Sequence, residues 1–379
     1  MTRGSSSRPP GLWQGISWAM ERGGEGSGIS RSRLVWRALS ATLTQGKALQ
    51  RWMNVVSELH ARGLVTDLPG EYLRAIRPYV QRHTDIGERV GQLIDHIDWT
   101  EAAFGPTALE RLFEGKAVVL AELSAPRGYE YMRLQLRRAG QQSPEGELLL
   151  TLTLQRSADV QHKSVPVDAA VLAFSRFRVD GTACLVIGGV RGQRQAVLRM
   201  SPVEINQALQ GWKPAVLMIR VAQELARYWN LRMIGLDPSS HRLQSWSYQW
   251  NKRHREVSKR IFDSYDVLWE HFDAKPGPVG WMILPLNSDE KLAATALSPE
   301  KRSRQTRRAD YWIRTRKLLW AGFREKLQRP GMEARLSRVT QALESGAAPL
   351  DQWDEEQDFQ NSEDMVPSRV LESGPGTLL

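Results

Sequence analysis

A glycine-rich segment is the first candidate for chemistry in this chain. It follows an apolar, strand-like run and reads Gly188-Gly189-Val190-Arg191-Gly192-Gln193. Glycines in a turn let backbone N–H groups approach an anion, and a helix beginning at Pro214 would add its positive end. Arg191, Arg194 and Lys213 supply cations that suit phosphate. The pattern predicts a phosphate cradle, and a plain turn that reverses the chain explains it equally well.

Residues able to transfer protons form a second group. His241 follows Asp237-Pro238-Ser239-Ser240 directly after a predicted strand. Sites collect at strand ends in α/β sheets, and histidine titrates near neutral pH. Glu145 and Glu147 lie on one face of a predicted strand start and could act as bases. A locally bonded loop histidine and a solvated hairpin edge are the alternative interpretations.

A basic segment at residues 301–329 is the third candidate. It holds eleven Lys or Arg residues against two acids, Asp310 and Glu325. Its predicted helix carries an apolar stripe, and cations beside such a stripe suit an anionic membrane surface. The stripe consists of Trp312, Leu319, Trp320, Phe323 and Leu327, and the predicted contact residues are Lys301, Arg302, Arg307, Arg308, Arg314 and Arg316.

Two other interpretations of the basic residues stay open. The aromatic stripe could instead pack on its own domain while the charges are solvated. Nucleic acid is a third and weaker option, because Trp246 and Trp250 beside the basic run at residues 252–255 offer stacking and phosphate contacts without a known motif.

The composition is that of a folded protein with a basic surface. The 379 residues carry a net charge of +10 and include 14 Trp but a single cysteine, Cys184. One cysteine excludes an internal disulfide and a cysteine metal cluster, so we expect a reducing compartment and no metal. Residues 1–30 lack the apolar core of a signal peptide, and no window has the roughly 18 apolar residues of a membrane span. We therefore expect a cytoplasmic protein, with peripheral contact at the inner membrane left open.

The periodicity of apolar residues predicts the order of the elements. Spacings of three and four indicate helices over residues 31–115. Alternation then indicates five strands joined as an antiparallel meander, with Asp180-Gly181 as a hairpin turn. A helix from Pro214, a strand near Ile234, a last strand near residues 281–286 and a basic helix follow. The predicted strands span residues 116–123, 129–138, 147–155, 169–179 and 182–190.

These elements predict an α+β protein. A helical N-terminal region at residues 31–115 precedes an antiparallel-to-mixed sheet with flanking helices at residues 116–328. Residues 1–30 are expected to form a disordered lead. Residues 329–379 are rich in acids and are expected to form a disordered tail.

Short signals follow one another in order over roughly residues 35–320. They are Glu145-Gly146-Glu147, Ile187-Gly188 with Gly192, Gly211 and Pro214, Gly235 and His241, Tyr265-Asp266 with Trp269, Leu284-Pro285, Lys301-Arg302-Ser303 and Arg307-Arg308. This ordered set resembles the VirK/YbjX family of Gram-negative bacteria. The resemblance implies an envelope-associated accessory protein, since members are linked to virulence, surface localisation of an outer-membrane protein and antimicrobial-peptide resistance.

The order of predicted elements is also similar to the acyl-CoA N-acyltransferase (GNAT-type) fold. That fold splays two strands and binds the cofactor pyrophosphate at a helix N-terminus. The resemblance implies acyl-CoA or an acyl-carrier protein as cofactor and a tyrosine general acid near Tyr265. It assigns cofactor binding to Gly188, Gly189, Arg191, Gly192, Gln193 and Lys213, and the candidate catalytic residues are then His241, Tyr265, Asp266 and Glu147.

Two hypotheses of function follow from the sequence. The first is acyl or similar group transfer from a phosphopantetheine thioester to an envelope or secreted protein or peptide. The second is a non-enzymatic binding or chaperone-like protein that uses its basic, Trp-rich surface on an anionic membrane or lipid.

Overall fold

An eight-stranded mixed sheet forms the centre of the computed structural model. Its order is β1-β2-β3-β4-β5-β6-β8-β7. The strands are β1 Val118–Leu123, β2 Tyr129–Arg138, β3 Leu148–Arg156, β4 Val167–Val179, β5 Thr182–Gly192, β6 Arg232–Leu236, β7 Lys275–Pro276 and β8 Trp281–Leu284. β1 to β5 pair antiparallel in sequence, so the predicted five-strand meander is confirmed.

The structure describes residues 11–22, 31–77, 79–82, 84–140, 143, 145–157, 165–192, 200–241, 244, 265–286 and 299–329. Met1–Arg329 forms one compact unit, so the helical region and the sheet belong to the same body. Several predictions lie outside the described residues. They concern Gln193, Arg194, the tryptophan and basic residues at 246–255, and the acidic tail.

Local signals set the boundaries of the described helices. Asp67 and Asp85 cap two of them by accepting hydrogen bonds from Gly70 N (3.2 Å) and Glu88 N (2.8 Å). The helices are α1 Leu12–Arg22, α2 Arg31–Ala61, α3 Leu68–Ile76, α4 Ile86–Ala103, α5 Pro106–Phe113, α6 Pro202–Ala208, α7 Pro214–Tyr228 and α8 Pro299–Lys326. α2 is kinked at Gln45.

The predicted disordered lead is wrong over Leu12–Arg22, because these residues form α1. Trp18 and Ala19 are buried, and the Trp18 ring meets Tyr72 edge-on at 5.8 Å between centroids. Burial of a tryptophan against α3 stabilises a helix that is too short to persist alone.

The two faces of the sheet are covered by different helices. Along β5, Leu185 and Ile187 face the core that contains α7, while Cys184 and Val186 face the core that contains α1 to α4. This alternation follows from the two-residue period of a strand. Cys184 is buried and packs there as a small apolar side chain.

A parallel crossover joins the meander to the rest of the sheet. β5 and β6 pair parallel, and α7 connects them with its stripe of Leu217, Val221 and Leu225 fully buried. β8 then pairs antiparallel with β6, and the two-residue β7 lies at the edge. The fold is therefore α+β with a mixed sheet and flanking helices, as the sequence predicted.

The aromatic stripe of α8 packs on the protein itself. Leu319, Phe323 and Leu327 are buried, and Trp312 and Trp320 are half-buried against the same core. This outcome confirms the interpretation in which the stripe belongs to the domain and leaves only the opposite side of α8 for solvent.

Gly322 sets how closely α8 approaches β1. A Cβ at this position would lie 1.8 Å from the carbonyl oxygen of Leu120. We expect Gly322→Ala to lower the free energy of unfolding by roughly 1–3 kcal/mol, because backbone on both sides must move. Chemical denaturation of the variant and the wild type would measure this loss. Gly91→Ala in α4 is the matched control, since no atom lies within 4 Å of its added Cβ, and its expected effect is a gain of roughly 0.5–1 kcal/mol. A loss at Gly91 equal to that at Gly322 would contradict this explanation.

Candidate functional site

The glycine-rich segment is part of a strand and not of a loop, and its binding of a phosphate stays a prediction. β5 extends to Gly192, and Val190 and Gly189 pair with Leu172 and Ala173 of β4. The register shifts after Ala173, so Gly188 is an extra, bulged residue. Because the strand fixes these backbone groups in the sheet, the predicted loop at Gly188, Gly189, Arg191 and Gly192 is wrong.

Close packing explains why glycine occupies positions 188 and 189. A Cβ on Gly188 would lie 2.0 Å from Glu145 O, and one on Gly189 would lie 2.7 Å from Glu145 Oε2. The exposed Arg191 guanidinium lies 3.4 Å from the same carboxylate. Glu145 therefore packs directly against the two glycines that the sequence analysis assigned to phosphate binding.

Glu147 is a buried partner of Arg74, and its predicted role as a base stays a prediction. Its carboxylate accepts a hydrogen bond from Arg74 of α3, and both side chains are almost fully buried. Burial lowers the pKa of Arg74, but the carboxylates of Glu147 and Glu71 outweigh burial and raise it. The pair therefore joins α3 to the start of β3 inside the protein.

The same polar network continues between α3, α4 and the sheet. Glu71 also accepts from Arg138 at 2.7 Å, and Tyr79 lies 2.6 Å from Ser175 Oγ. Burial and the nearby Arg74 lower the pKa of His96 to about 3, so this imidazole is neutral at physiological pH. A cavity of about 20 Å³ borders His96 and Glu147, roughly the space of one water molecule. The network ties the helical layer to the sheet.

His241 lies in a tight turn after β6. It follows the 3-10 helix Pro238–Ser240, donates its backbone N–H to Pro238 O (3.2 Å), and forms an isolated β-bridge with Gln81. Asp237 accepts from Ser239 N at 2.8 Å and so caps the same turn. The residue is buried, and its proposed chemistry stays a prediction.

The pairing of β5 with β6 ends near Tyr265. Their parallel pairing ends at Ile187 and Gly235, whereas β5 continues for five residues beside β4 alone. The Tyr265 hydroxyl accepts a hydrogen bond from Val190 N at 3.0 Å. Trp269 donates from Nε1 to Leu236 O at 3.0 Å, and its ring contacts Gly235. The structure thus brings the predicted tyrosine against the diverging strand, while Asp266 is exposed.

Three cationic residues lie close to the chain segment that leads into α7, and we call them the cationic corner. They are Lys213, Arg304 and Arg308. Gly211, in the left-handed region at φ +94°, lies within 3.4–3.6 Å, measured from its Cβ position, of the side chains of Arg308 and Arg304 of α8. The Arg308 guanidinium stacks over the Trp212 ring at 4.5 Å, and the exposed Lys213 is the N-cap residue of α7. Lys213 therefore begins α7, and Arg304 and Arg308 pack against the two residues that precede it.

Sequence reasoning assigned Lys213 and Arg308 to different sites and did not select Arg304. Only the packing of α8 over the residues that precede α7 brings the three together. Gly211, three residues before the predicted helix start at Pro214, was a local signal for a tight approach here.

The predicted membrane contacts on α8 divide into two groups. Lys301, Arg302, Arg307 and Arg314 are exposed, and their contact with a membrane stays a prediction. Arg316 instead lies 3.1 Å from the buried carboxylate of Glu224, which also accepts from Trp320 Nε1 at 2.8 Å. Arg316 and the stacked Arg308 therefore serve the packing of α8.

In the part of the chain that the structure describes, no helix is long and apolar enough to cross a membrane. Among the same residues, no three His, Cys, Asp or Glu side chains group as metal ligands.

Comparison with known proteins gives one match. The model of a family described as protein of unknown function (DUF535) matches residues 29–312 of the 379-residue chain. No curated protein and no solved structure matches it. Because the match covers more than half of the chain, the protein belongs to the DUF535 family, which is the VirK/YbjX family that the ordered short signals predicted.

Proposed function

We propose that this protein binds a phosphorylated acyl donor at the carboxyl end of β5 and catalyses acyl transfer. The cationic corner is the observation that carries the proposal. A phosphopantetheine thioester, on coenzyme A or a carrier protein, combines the anionic phosphate and the activated acyl group that such a site would use. The family resemblance adds an envelope or secreted protein or peptide as the acceptor.

The charge at the corner favours a phosphate. The first N–H groups of an α-helix have no partner within the helix, and they carry about half a positive charge. Lys213, Arg304 and Arg308 add three formal charges close to the segment that leads into α7. Hydrogen bonds from charged donors to phosphate are roughly twice as strong as neutral ones.

The arrangement of strands supports a site in this region. In a sheet with a parallel crossover, ligands bind beyond the carboxyl ends of the strands, where neighbouring strands separate. β5 and β6 separate after Ile187, and α7 begins at the same end of β5. A meander, a crossover helix and an aromatic segment before the last strands are the features on which the acyltransferase resemblance is based.

Tyr265 is the side chain that we assign as proton donor. Its oxygen accepts a hydrogen bond from Val190 N, and a tyrosine hydroxyl is both a donor and an acceptor. Its backbone belongs to residues 265–271, which are helical and packed through Trp269 against β6. The hydroxyl is therefore held in place where β5 and β6 separate, as a general acid requires.

A thermal-shift titration with coenzyme A and acyl-coenzyme A tests the proposal. A ligand at about 100 times its Kd should stabilise the folded state by about 2.7 kcal/mol and raise the Tm. Lys213→Glu with Arg304→Glu should weaken binding at least roughly tenfold, or about 1.4 kcal/mol. Lys317→Glu, on the exposed side of α8, is the control and should leave the binding of coenzyme A and acyl-coenzyme A unchanged.

Two results would refute the proposal. One is the absence of any Tm shift with saturating acyl-coenzyme A and acyl-carrier protein. The other is an equal loss of binding in Lys317→Glu, which would make the effect one of general charge. Tyr265→Phe should retain binding and lose turnover, so a variant that also loses binding would remove Tyr265 from the role of proton donor.

A further inference from the structure

We infer that the outer side of α1 and α2 docks on an anionic lipid surface. Four large apolar side chains there are exposed to solvent, and we call them the outer apolar face. They are Trp13 (70% exposed), Met20 (53%), Trp36 (69%) and Leu43 (71%). The inference concerns a different surface from the acyl-donor site and does not depend on it.

Each helix is apolar on both sides. The inner side of α2 buries Leu34, Ala38 and Ala41, while Trp36 and Leu43, seven residues apart, repeat on its outer side. α1 repeats the arrangement, with Trp18 and Ala19 inside and Trp13 and Met20 outside. Side chains of this size in water need another partner if they are grouped.

The concavity beside Trp36 is open and shallow. It measures about 620 Å³ and is lined by Arg31, Ser32, Val35, Trp36 and Leu39. At the boundary of a bilayer, tryptophan places its ring among lipid and its N–H near water. An open depression lined by a tryptophan, an arginine and a serine suits that position.

The charge of this surface selects an anionic partner. α1 and α2 together contain two acids, Glu21 and Glu58, against six Lys or Arg residues, which are Arg22, Arg31, Arg33, Arg37, Lys47 and Arg51. Arg37 donates to Ile76 O at 2.9 Å, whereas Arg33, Lys47 and Arg51 are exposed. A second copy of the chain would bring like charges together, which disfavours a symmetric dimer. Exposed tryptophan and leucine with lysine and arginine alongside suit the headgroup region of an anionic bilayer.

The outer side of α8 is less suited to this role. Its exposed large apolar side chains are Ile313 and Leu318, and neither is aromatic. α8 also packs with α7 in the core on the opposite face of the sheet from α1 and α2. If α1 and α2 lie on a bilayer, the cationic corner lies on the opposite face of the sheet, away from the bilayer. A water-soluble donor can reach it there.

Flotation of the full-length protein with lipid vesicles tests this inference. We expect binding to phosphatidylcholine vesicles that contain phosphatidylglycerol and none to phosphatidylcholine alone. Trp36→Ser with Leu43→Ser, and separately Arg33→Glu with Lys47→Glu, should each weaken binding by roughly tenfold or more. These side chains are exposed, so both variants should keep the wild-type Tm.

Arg314→Glu with Lys317→Glu on α8 is the matched control, and it should leave vesicle binding within about twofold. The inference fails if the α8 variant abolishes binding while the α1–α2 variants bind normally. Equal binding to both kinds of vesicle, or none to either, would also overturn it. Coenzyme A binding measured on the same variants should stay unchanged, which separates this inference from the proposed acyl-donor site.

Discussion

Replacing Arg74 with alanine is expected to lower the free energy of unfolding by about 3–5 kcal/mol. Arg74 lies between two buried carboxylates, at 3.3 Å from Glu71 and in direct contact with Glu147, and it also donates to Ala139 O at 3.2 Å. Removing it leaves Glu147 without its hydrogen-bonded cation and Glu71 with Arg138 alone, in a region closed to water. The cost of an unpaired buried charge is larger than the worth of the pair itself.

Urea denaturation of Arg74→Ala and Arg74→Met would measure the effect. Methionine keeps most of the side-chain volume, so a similar loss in both variants would assign the effect to charge. Arg62→Ala is the control, because its pair with Glu101 is 2.7 Å long but exposed; such pairs contribute about 0–1 kcal/mol. A loss below about 1 kcal/mol at Arg74 would show that the network is dispensable.

Gly188→Ala is expected to lower the free energy of unfolding by roughly 1–3 kcal/mol or more, because the added methyl group overlaps backbone. Its carbon would lie 2.0 Å from Glu145 O and 3.2 Å from a methyl group of Val80. The segment at Glu145 leads directly into Glu147, so a shift there would also disturb the pair with Arg74. If the glycine instead served a phosphate cradle, alanine would reduce ligand binding with little change in stability.

Gly192→Ala is the matched control in the same strand. Its added carbon would lie 3.7 Å from Ala169 O, which is an ordinary contact. Its expected change in stability is within about 0.5 kcal/mol. Thermal and urea unfolding of the two variants would decide between the interpretations. Equal losses at both positions would mean that the strand rejects alanine in general, and an unaffected Gly188→Ala would contradict the close approach of Glu145.

The local pattern of the sequence was sufficient for most of the elements. Alternation in β3 and the Asp180-Gly181 turn predicted the meander, and Leu217, Val221 and Leu225 predicted the buried side of α7. These signals work because side-chain direction repeats every two residues in a strand and every 3.6 in a helix. α1 was missed because its stability comes from contact with Tyr72, about fifty residues further along the chain.

The roles of the candidate residues were less accessible from the sequence. Glycines at 188 and 189 look alike whether they serve a ligand or a neighbouring strand, and only the position of Glu145 distinguishes the two. Leu43 is a second example. Its spacing in the helical pattern fits a buried position, yet this residue of α2 is exposed.

The sequence by itself determined the α+β class, the order of the strands in the meander, the crossover and the family. The tertiary structure alone decided that Glu147 is paired with Arg74, that β5 absorbs the glycine-rich segment, and that Arg304 and Arg308 lie against the residues that precede α7. The reason is physical. Periodicity depends on neighbours within a few residues, whereas the pairing of charges and the closeness of backbones depend on which faces of distant elements meet.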